Sequence, residues 1–222
     1  MDITLTLHHG DCLEIMKSIP DKSVDLIICD LPYGCLGNDR RSESVKSNKT
    51  TITYGACAWD IKIPLKPFWE QIRRIRRNDH SPTIHFCTTK FGYELIQSNP
   101  DEFRYDLVWD KQRGVSFLSA NKMPMRSHEM IYVFSKAGAF YERKDISGNF
   151  LRWERTRSDD KSRKSTQYGA LRNDSDGGDG KRCALSVIQN PTSAKKGGHP
   201  TEKPSDLYRF LIDRYCPPGG TV

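Results

Sequence analysis

Short apolar runs alternate with amphipathic runs along the chain, and their periods predict strands and helices in turn. Runs rich in β-branched and aromatic residues predict strands at MDITLTL, SVDLIICD, PTIHFCTT, YDLVWDK and HEMIYVFSK. Apolar residues that recur every three or four positions predict helices at DCLEIMKSI, KPFWEQIRRIRR, KFGYELIQ and SDLYRFLIDRY. Strands that alternate with helices favour an α/β fold with a largely parallel sheet.

The pattern changes after residue 135. Residues 136–198 contain few apolar runs and many charges, including RWERTRSDDKSRK and NDSDGGDGK. We interpret residues 1–135 as a core and 136–198 as an insertion, either flexible or involved in recognition. Residues 199–222 carry the last helix, which breaks at Pro217–Gly220 before one more predicted strand at Thr221–Val222.

Composition limits the classes of protein and partner. The 222 residues are 36% hydrophobic and 28% charged, enough for one sizeable core. No apolar run is long enough for a membrane span and the start lacks a signal-peptide pattern, so we expect a cytoplasmic protein, or host-cell cytoplasm for a phage or viral one. The seven cysteines form no CxxC pair, which favours reduced thiols and no metal site. A net charge of +7 fits a polyanionic partner such as nucleic acid, although many basic proteins bind none.

The segment SVDLIICDLPYGCLG places an acid, a proline and an aromatic directly after an apolar strand. In open α/β sheets, ligands bind at the carboxyl ends of the strands, so this loop is a candidate catalytic loop. Taken alone, the same residues also fit a structural interpretation. In that case Asp30 would cap a turn and Tyr33 would be an ordinary core aromatic.

Several motifs in order resemble one enzyme family. Asp30-Leu31-Pro32-Tyr33 resembles the catalytic Asp-Pro-Pro-Tyr tetrapeptide of amino-group DNA methyltransferases. Its flanking segments resemble theirs as well: GDCLEIMKSIPDKSVDLIICD, CAWD, IPLKPFWEQIRRI, VWDKQRGVSFLSANKMPMRSHEMIYVFSK and GGHPTEKP. The order, with the catalytic motif first and the cofactor motif late, is similar to the permuted beta class of phage and bacterial adenine methyltransferases. The resemblance implies a Rossmann-like sheet that uses S-adenosylmethionine, with an inserted target-recognition segment, and double-stranded DNA as substrate.

The resemblance also implies roles for the tetrapeptide. Asp30 and the carbonyl of Leu31 or Pro32 would accept hydrogen bonds from the target amino group. Tyr33 would stack on the flipped base. Leu31 replaces the first proline of the family motif, so its φ angle is not locked, although the backbone carbonyl acceptor is unchanged. An acid at position 30, where cytosine-N4 enzymes carry a serine, favours adenine N6, with cytosine N4 as the alternative.

Other residues are assigned by the same resemblance. Glu202 and Lys203 also fit an ordinary helix start, and we interpret His128–Glu129 as structural. The candidate cofactor-binding residues are Asp11, Cys12, His199, Pro200, Thr201, Lys203 and Pro204. The candidate DNA-binding residues are Arg113, Lys122, Arg126, Arg155 and Arg157.

One expected motif is absent. In the family, a strand and a Phe-x-Gly-x-Gly-like loop follow the last helix and bind the methionine part of the cofactor, whereas this sequence ends at PPGGTV. We therefore expect the strand that carries Asp30 to have an open edge. A second chain or a further C-terminal segment would complete it, as in a split or truncated enzyme. A non-catalytic DNA-binding remnant is the alternative from another functional class; an RNA-binding protein without methylation activity is disfavoured by the Asp30–Tyr33 motif.

Overall fold

The computed structural model describes residues 4–35, 60–115, 117, 120–144, 183–189 and 202–222, together with the backbone of four short strands. The helices are α1 (Cys12–Met16), α2 (Leu65–Ile75), α3 (Thr89–Ser98) and α4 (Ser205–Tyr215), with a 3₁₀ turn at Pro100–Glu102. The strands are β1 (Ile27–Cys29), β2 (Val45–Ser47), β3 (Thr50–Ile52), β4 (Thr83–Cys87), β5 (Phe103–Val115), β6 (Arg126–Phe134), β7 (Ile146–Ser147), β8 (Lys181–Arg182) and β9 (Val187–Gln189).

The main sheet has the strand order β1-β4-β6-β5-β9. The pairs β1–β4 and β5–β9 are parallel, whereas β6 runs antiparallel to both of its neighbours. The predicted α/β class is confirmed, but the expectation of a largely parallel sheet was wrong at β6. β5 and β6 follow each other in the chain and pair antiparallel, and only a short interval separates them, whereas a parallel pair needs a longer crossover.

Helices cover both faces of the sheet. On one face α4 packs through Leu207, Leu211 and Tyr215, and on the other α2 and α3 pack through residues such as Trp69 and Leu95. All five residues of β4 are buried between these layers, and no charged residue lies among them. A strand covered on both faces is expected to show such a run rather than an alternating pattern.

One polar side chain, His85, lies inside the layer of α2 and α3. Its ring makes edge contacts with Phe68, Trp69 and Phe134, with ring centroids 5.2 to 5.7 Å apart. Neither ring nitrogen has a hydrogen-bond partner among the described residues. Burial lowers the pKa of His85 to about 3, so the imidazole is neutral in the folded protein.

The two ends of the chain differ from the predicted pattern. The strand expected in MDITLTL was wrong for residues 4–9, which form no regular structure and are exposed. Thr221 pairs with the segment ahead of β1, although no regular strand forms there: its carbonyl accepts hydrogen bonds from the amides of Asp25 and Leu26 at 2.9 and 3.2 Å. The Thr221 amide donates to Asp25 Oδ2 at 2.9 Å.

Two compact units make up the chain. One contains residues 1–142 and 185–222, and the other contains residues 143–184, with the two-stranded pairing of β7 and β8. The interpretation of residues 136–198 as an insertion stays a prediction. Within the described part of the chain, no helix combines the length and apolar character that crossing a membrane requires.

Candidate active site at the carboxyl end of β1

The candidate catalytic loop follows β1 directly and is held from a distant part of the chain. Gly34 has a φ of +63°, in the left-handed region, which lets the backbone turn sharply after Tyr33. The Gly34 amide donates to Oδ1 of the buried Asp60 at 2.8 Å. This bond anchors the loop although Leu31 supplies none of the rigidity that a proline would give.

Lys203 binds the carboxylate of Asp30. Its Nζ lies 2.9 Å from Oδ1 and 2.8 Å from Oδ2. The Lys203 side chain is 6% exposed and that of Asp30 is 35% exposed, so the ammonium lies behind the carboxylate and leaves part of it open to solvent. Lys203 was assigned to the cofactor by resemblance; in the structure its ammonium is bound to the candidate catalytic acid.

Glu129 on β6 joins the same cluster. The Tyr33 hydroxyl lies 2.7 Å from Glu129 Oε1 and 2.9 Å from Asp30 Oδ1, and its single hydrogen can be donated to one of them at a time. Lys111 Nζ on β5 lies 2.8 Å from Glu129 Oε2. Lys203 Nζ is 3.5 Å from Oε1. Two carboxylates and two ammonium groups thus form one connected network around the tyrosine.

The electrostatics of this network favour an ionised Glu129. Burial alone would raise the pKa of Glu129, but the charges of Lys203 and Lys111, with hydrogen bonds from Lys111 and Tyr33, hold that pKa below its usual value. Burial, reinforced by the charges of Glu129 and Asp30, raises the pKa of Tyr33, which therefore stays protonated. Glu129 is an anionic acceptor and Tyr33 a neutral donor.

Aromatic rings surround the charged groups. The Tyr33 ring stacks on Phe91 with centroids 5.4 Å apart at 29°. Lys203 Nζ lies 5.3 Å from the centre of the Phe86 ring, and Lys111 Nζ lies 4.8 Å from that of Trp109. Such apolar walls exclude water and strengthen the interactions inside them.

Comparison with known proteins identifies the family. Residues 24–222 match the model of the DNA methylase family that covers N6 and N4 methyltransferases. This chain belongs to the DNA methylase family. The match includes every residue of the network described above, from Asp30 to Lys203.

Two solved structures share the fold of this DNA methylase. The PvuII DNA methyltransferase, which is cytosine-N4-specific, aligns with a TM-score of 0.55 and 14% identity over 95% of this chain and 70% of that chain. The M1.HpyAVI–SAM complex aligns with a TM-score of 0.50 and 16% identity over 95% of this chain and 77% of that chain. The shared architecture confirms the predicted fold of an S-adenosylmethionine-dependent methyltransferase.

Asp11 and Cys12 lie at the start of α1, close to the end of β1. The Asp11 carboxylate caps α1 by accepting from the amides of Leu13 and Glu14 at 2.8 and 3.3 Å. Cys12 packs against the same buried cluster as Cys29 and Leu31, at the end of β1. Burial, with smaller contributions from Cys12 and Asp30, raises the pKa of the Cys29 thiol to about 12. The start of α1 therefore borders the carboxyl end of β1.

The remaining predicted residues fall into two sets. Pro204 is buried and forms the N-cap of α4 immediately after Lys203. Arg113, Lys122 and Arg126 lie on the hairpin of β5 and β6, beyond the strand positions of Lys111 and Glu129. The predictions for His199, Pro200, Thr201, Arg155 and Arg157 lie outside the described residues.

Sequence analysis gave Glu129 a structural role and did not single out Lys111 or Asp60, and all three hold the site. Glu129 precedes the apolar run MIYVF and takes an inward position next to Trp109 on β5. A charged residue at a buried strand position needs a partner of opposite charge or a hydrogen-bond donor. The acid beside the apolar run was therefore the sequence feature that could have predicted a buried polar cluster. The partners come from β5, the catalytic loop and the start of α4, which only the fold brings together.

Proposed function

We propose that this chain methylates the exocyclic amino group of adenine, at N6, in double-stranded DNA. The observation that carries the proposal is the partly exposed Asp30 carboxylate at the carboxyl end of β1, held by Lys203 and Tyr33. Methylation of cytosine at N4 is the second candidate, since the PvuII enzyme of the same fold is cytosine-N4-specific.

The cofactor is S-adenosylmethionine, which supplies the methyl group as an electrophile. In the proposed reaction Asp30 accepts a hydrogen bond from the target amino group, and the carbonyl of Leu31 or Pro32 accepts a second. These acceptors favour a nitrogen lone pair that points at the methyl group. Lys203 fixes the orientation of the Asp30 carboxylate, and Tyr33 supports it from the Glu129 side.

The residues at this edge suit the cofactor in their chemistry. Asp11 is an exposed carboxylate at the border of the carboxyl end of β1, where ligands of open α/β sheets bind, and it can accept hydrogen bonds from ribose hydroxyls. We assign Asp11 and Cys12 to the adenosine side of the cofactor. The assignments of His199, Pro200, Thr201, Lys203 and Pro204 to a closing loop are kept as part of this proposal.

The target base would be bound outside the duplex. Tyr33, with Phe91 behind its ring, offers a flat aromatic surface on which a flipped base can stack. Arg113, Lys122 and Arg126 supply cations for the DNA phosphates on the neighbouring hairpin, and Arg155 and Arg157 are assigned to the same task. Residues 136–198 are proposed to read the target sequence.

The edge of β1 suggests a further partner. β4 pairs with one side of β1, and among the described residues only Thr221 hydrogen bonds near its other side, at Asp25 and Leu26. We propose that another strand, from a second chain or a C-terminal continuation, pairs there and completes the cofactor pocket. Isothermal titration then gives weak S-adenosylmethionine binding for residues 1–222 and tighter binding when a polypeptide with the glycine loop is added. Micromolar binding by this chain alone would disprove the need for the partner.

The deciding experiment is methylation of unmethylated DNA, followed by digestion and mass spectrometry of the nucleosides, with this chain alone and with the added polypeptide. N6-methyladenine is the expected product when the polypeptide is added, with negligible turnover by this chain alone, and N4-methylcytosine would establish the alternative. Asp30→Ala should abolish product while DNA affinity stays within about threefold, because the carboxylate contacts the amine and not phosphates. Product formation within about tenfold of wild type in Asp30→Ala would refute the assignment of Asp30.

A further inference from the structure

The hairpin between β5 and β6 carries an exposed apolar tip that the carboxylate network does not use. Phe117 is 73% exposed and Met123 is 56% exposed, and the neighbouring Val115 and Met125 are also exposed. Met125 lies back across the hairpin, because a Cβ on Gly114 would overlap its side chain. Phe117 and Met123 are thus the large apolar groups that project from the described part of the tip. Exposed apolar side chains at the tip of one hairpin make it a candidate interaction site.

The charge around these residues fits one class of partner. Residues 111–128 contain four lysines and arginines and no acidic residue, in a chain with 28 Asp and Glu among 222 residues. Arg113 and Lys122 are exposed on either side of Phe117. Apolar groups flanked by cations complement a DNA duplex, whose phosphates attract the cations and whose stacked bases accept an inserted apolar side chain.

The hairpin stands at the same edge of the sheet as Asp30. β1 is parallel to β4, and β6 is antiparallel to both β4 and β5, so β1 and β5 end at the same edge. The base of the hairpin is linked to the catalytic loop by two contacts, one from Lys111 to Glu129 and one from Tyr33 to Glu129. A duplex that presents a base to Asp30 therefore meets this hairpin.

The reach of the tip is sufficient for insertion. Arg126 is the last β6 residue paired with β5, and Met123 lies three residues beyond it. At about 3.3 Å per residue the tip can extend up to about 10 Å past the paired strands. The depth of a DNA groove is comparable, at about 8 Å.

We propose that Phe117, supported by Met123, enters the duplex and fills the gap left by the flipped target base. This inference rests on the proposed function, because a gap arises only if a base leaves the stack. Arg113 and Lys122 hold the adjoining phosphates. The apolar side chain offsets part of the stacking energy that is lost when the base turns outward.

The test compares binding to an intact duplex and to the same duplex with one abasic site, by fluorescence anisotropy at several salt concentrations. An abasic site offers the gap without the cost of flipping, so the wild-type chain should bind it at least about fivefold more tightly. Phe117→Ala should lose most of this preference and keep its affinity for intact DNA within about threefold. The expected loss lies within the range of about 5- to 150-fold for one stacked base.

Two control variants separate the wedge from general binding. The double variant Arg113→Gln, Lys122→Gln should bind both duplexes more weakly and with a reduced salt dependence. It should keep the wild-type preference for the duplex with the abasic site. Leu185→Ala, which removes a 67% exposed side chain ahead of β9 at the opposite edge of the sheet, should match the wild type.

Three outcomes would overturn the inference. A preference retained in Phe117→Ala would remove Phe117 from the gap. A wild type that binds both duplexes equally would refute the wedge and leave the proposed methylation standing. A wild type without salt-dependent DNA binding would refute the wedge and the proposed function together.

Discussion

Replacing Glu129 by glutamine tests whether this buried carboxylate holds the site together. The substitution keeps the volume and one carbonyl acceptor for Tyr33, but it removes the charge that faces Lys111 at 2.8 Å and Lys203 at 3.5 Å. Removing one partner of a buried ion pair costs about 3–5 kcal/mol of stability. Because Asp30 still pairs with Lys203 and the Lys111 side chain is 18% exposed, we expect the low end, about 3 kcal/mol at pH 7.

The pH dependence of this cost has a defined sign. The pKa of Glu129 is lower in the folded protein than in the unfolded chain, so its contribution is present above the unfolded value and is lost as pH falls through the folded value. The difference in unfolding free energy between wild type and Glu129→Gln should therefore be constant near neutral pH and shrink below about pH 4.5. Urea denaturation from pH 3.5 to 8 measures it, with Glu70→Gln, an exposed position on α2, as a control expected within about 0.5 kcal/mol. A cost below about 1 kcal/mol, or one that does not change with pH, would refute the reasoning.

Three further predictions concern the core, the catalytic loop and target recognition. His85→Leu should remove the proton uptake that favours unfolding, because the pKa of His85 rises from about 3 to its ordinary value when the chain unfolds. Between pH 8 and pH 5 the free energy of unfolding, measured by denaturant titration, should fall by about 2 kcal/mol less in the variant than in wild type. Equal falls in the two proteins would contradict this. Gly34→Ala should lower the free energy of unfolding by about 1–2 kcal/mol and lower methylation, since alanine resists the φ of +63° and its Cβ would meet the Lys62 side chain. Unchanged stability and product yield would show that the turn tolerates a side chain. Exchanging residues 136–198 for the segment of a relative should change the methylated sequence, read by sequencing that detects modified bases, and an unchanged sequence would move recognition to residues 36–56.

Local pattern alone determined most of the secondary structure. The helices α2, α3 and α4 and the strands β1, β4, β5 and β6 were predicted because their apolar residues recur with the period of one covered face or form a continuous buried run. The candidate catalytic loop was also readable, since an acid, a proline and an aromatic directly after a strand lie where ligands of open α/β sheets bind. The family resemblance added the chemistry for which these residue types are suited.

Pairing between distant segments was decided by the tertiary structure. The antiparallel position of β6 depends on a hairpin that orders the sheet, and the predicted first strand failed because residues 4–9 pair with no strand of the described chain. The site was affected in the same way: Lys203 reaches Asp30 across 173 positions, and Glu129 meets Tyr33 across 96. A charge can be buried only beside a partner. The sequence marks Asp30, Glu129, Lys111 and Lys203 as charged, and only the packing of β1, β5, β6 and the start of α4 makes them one network.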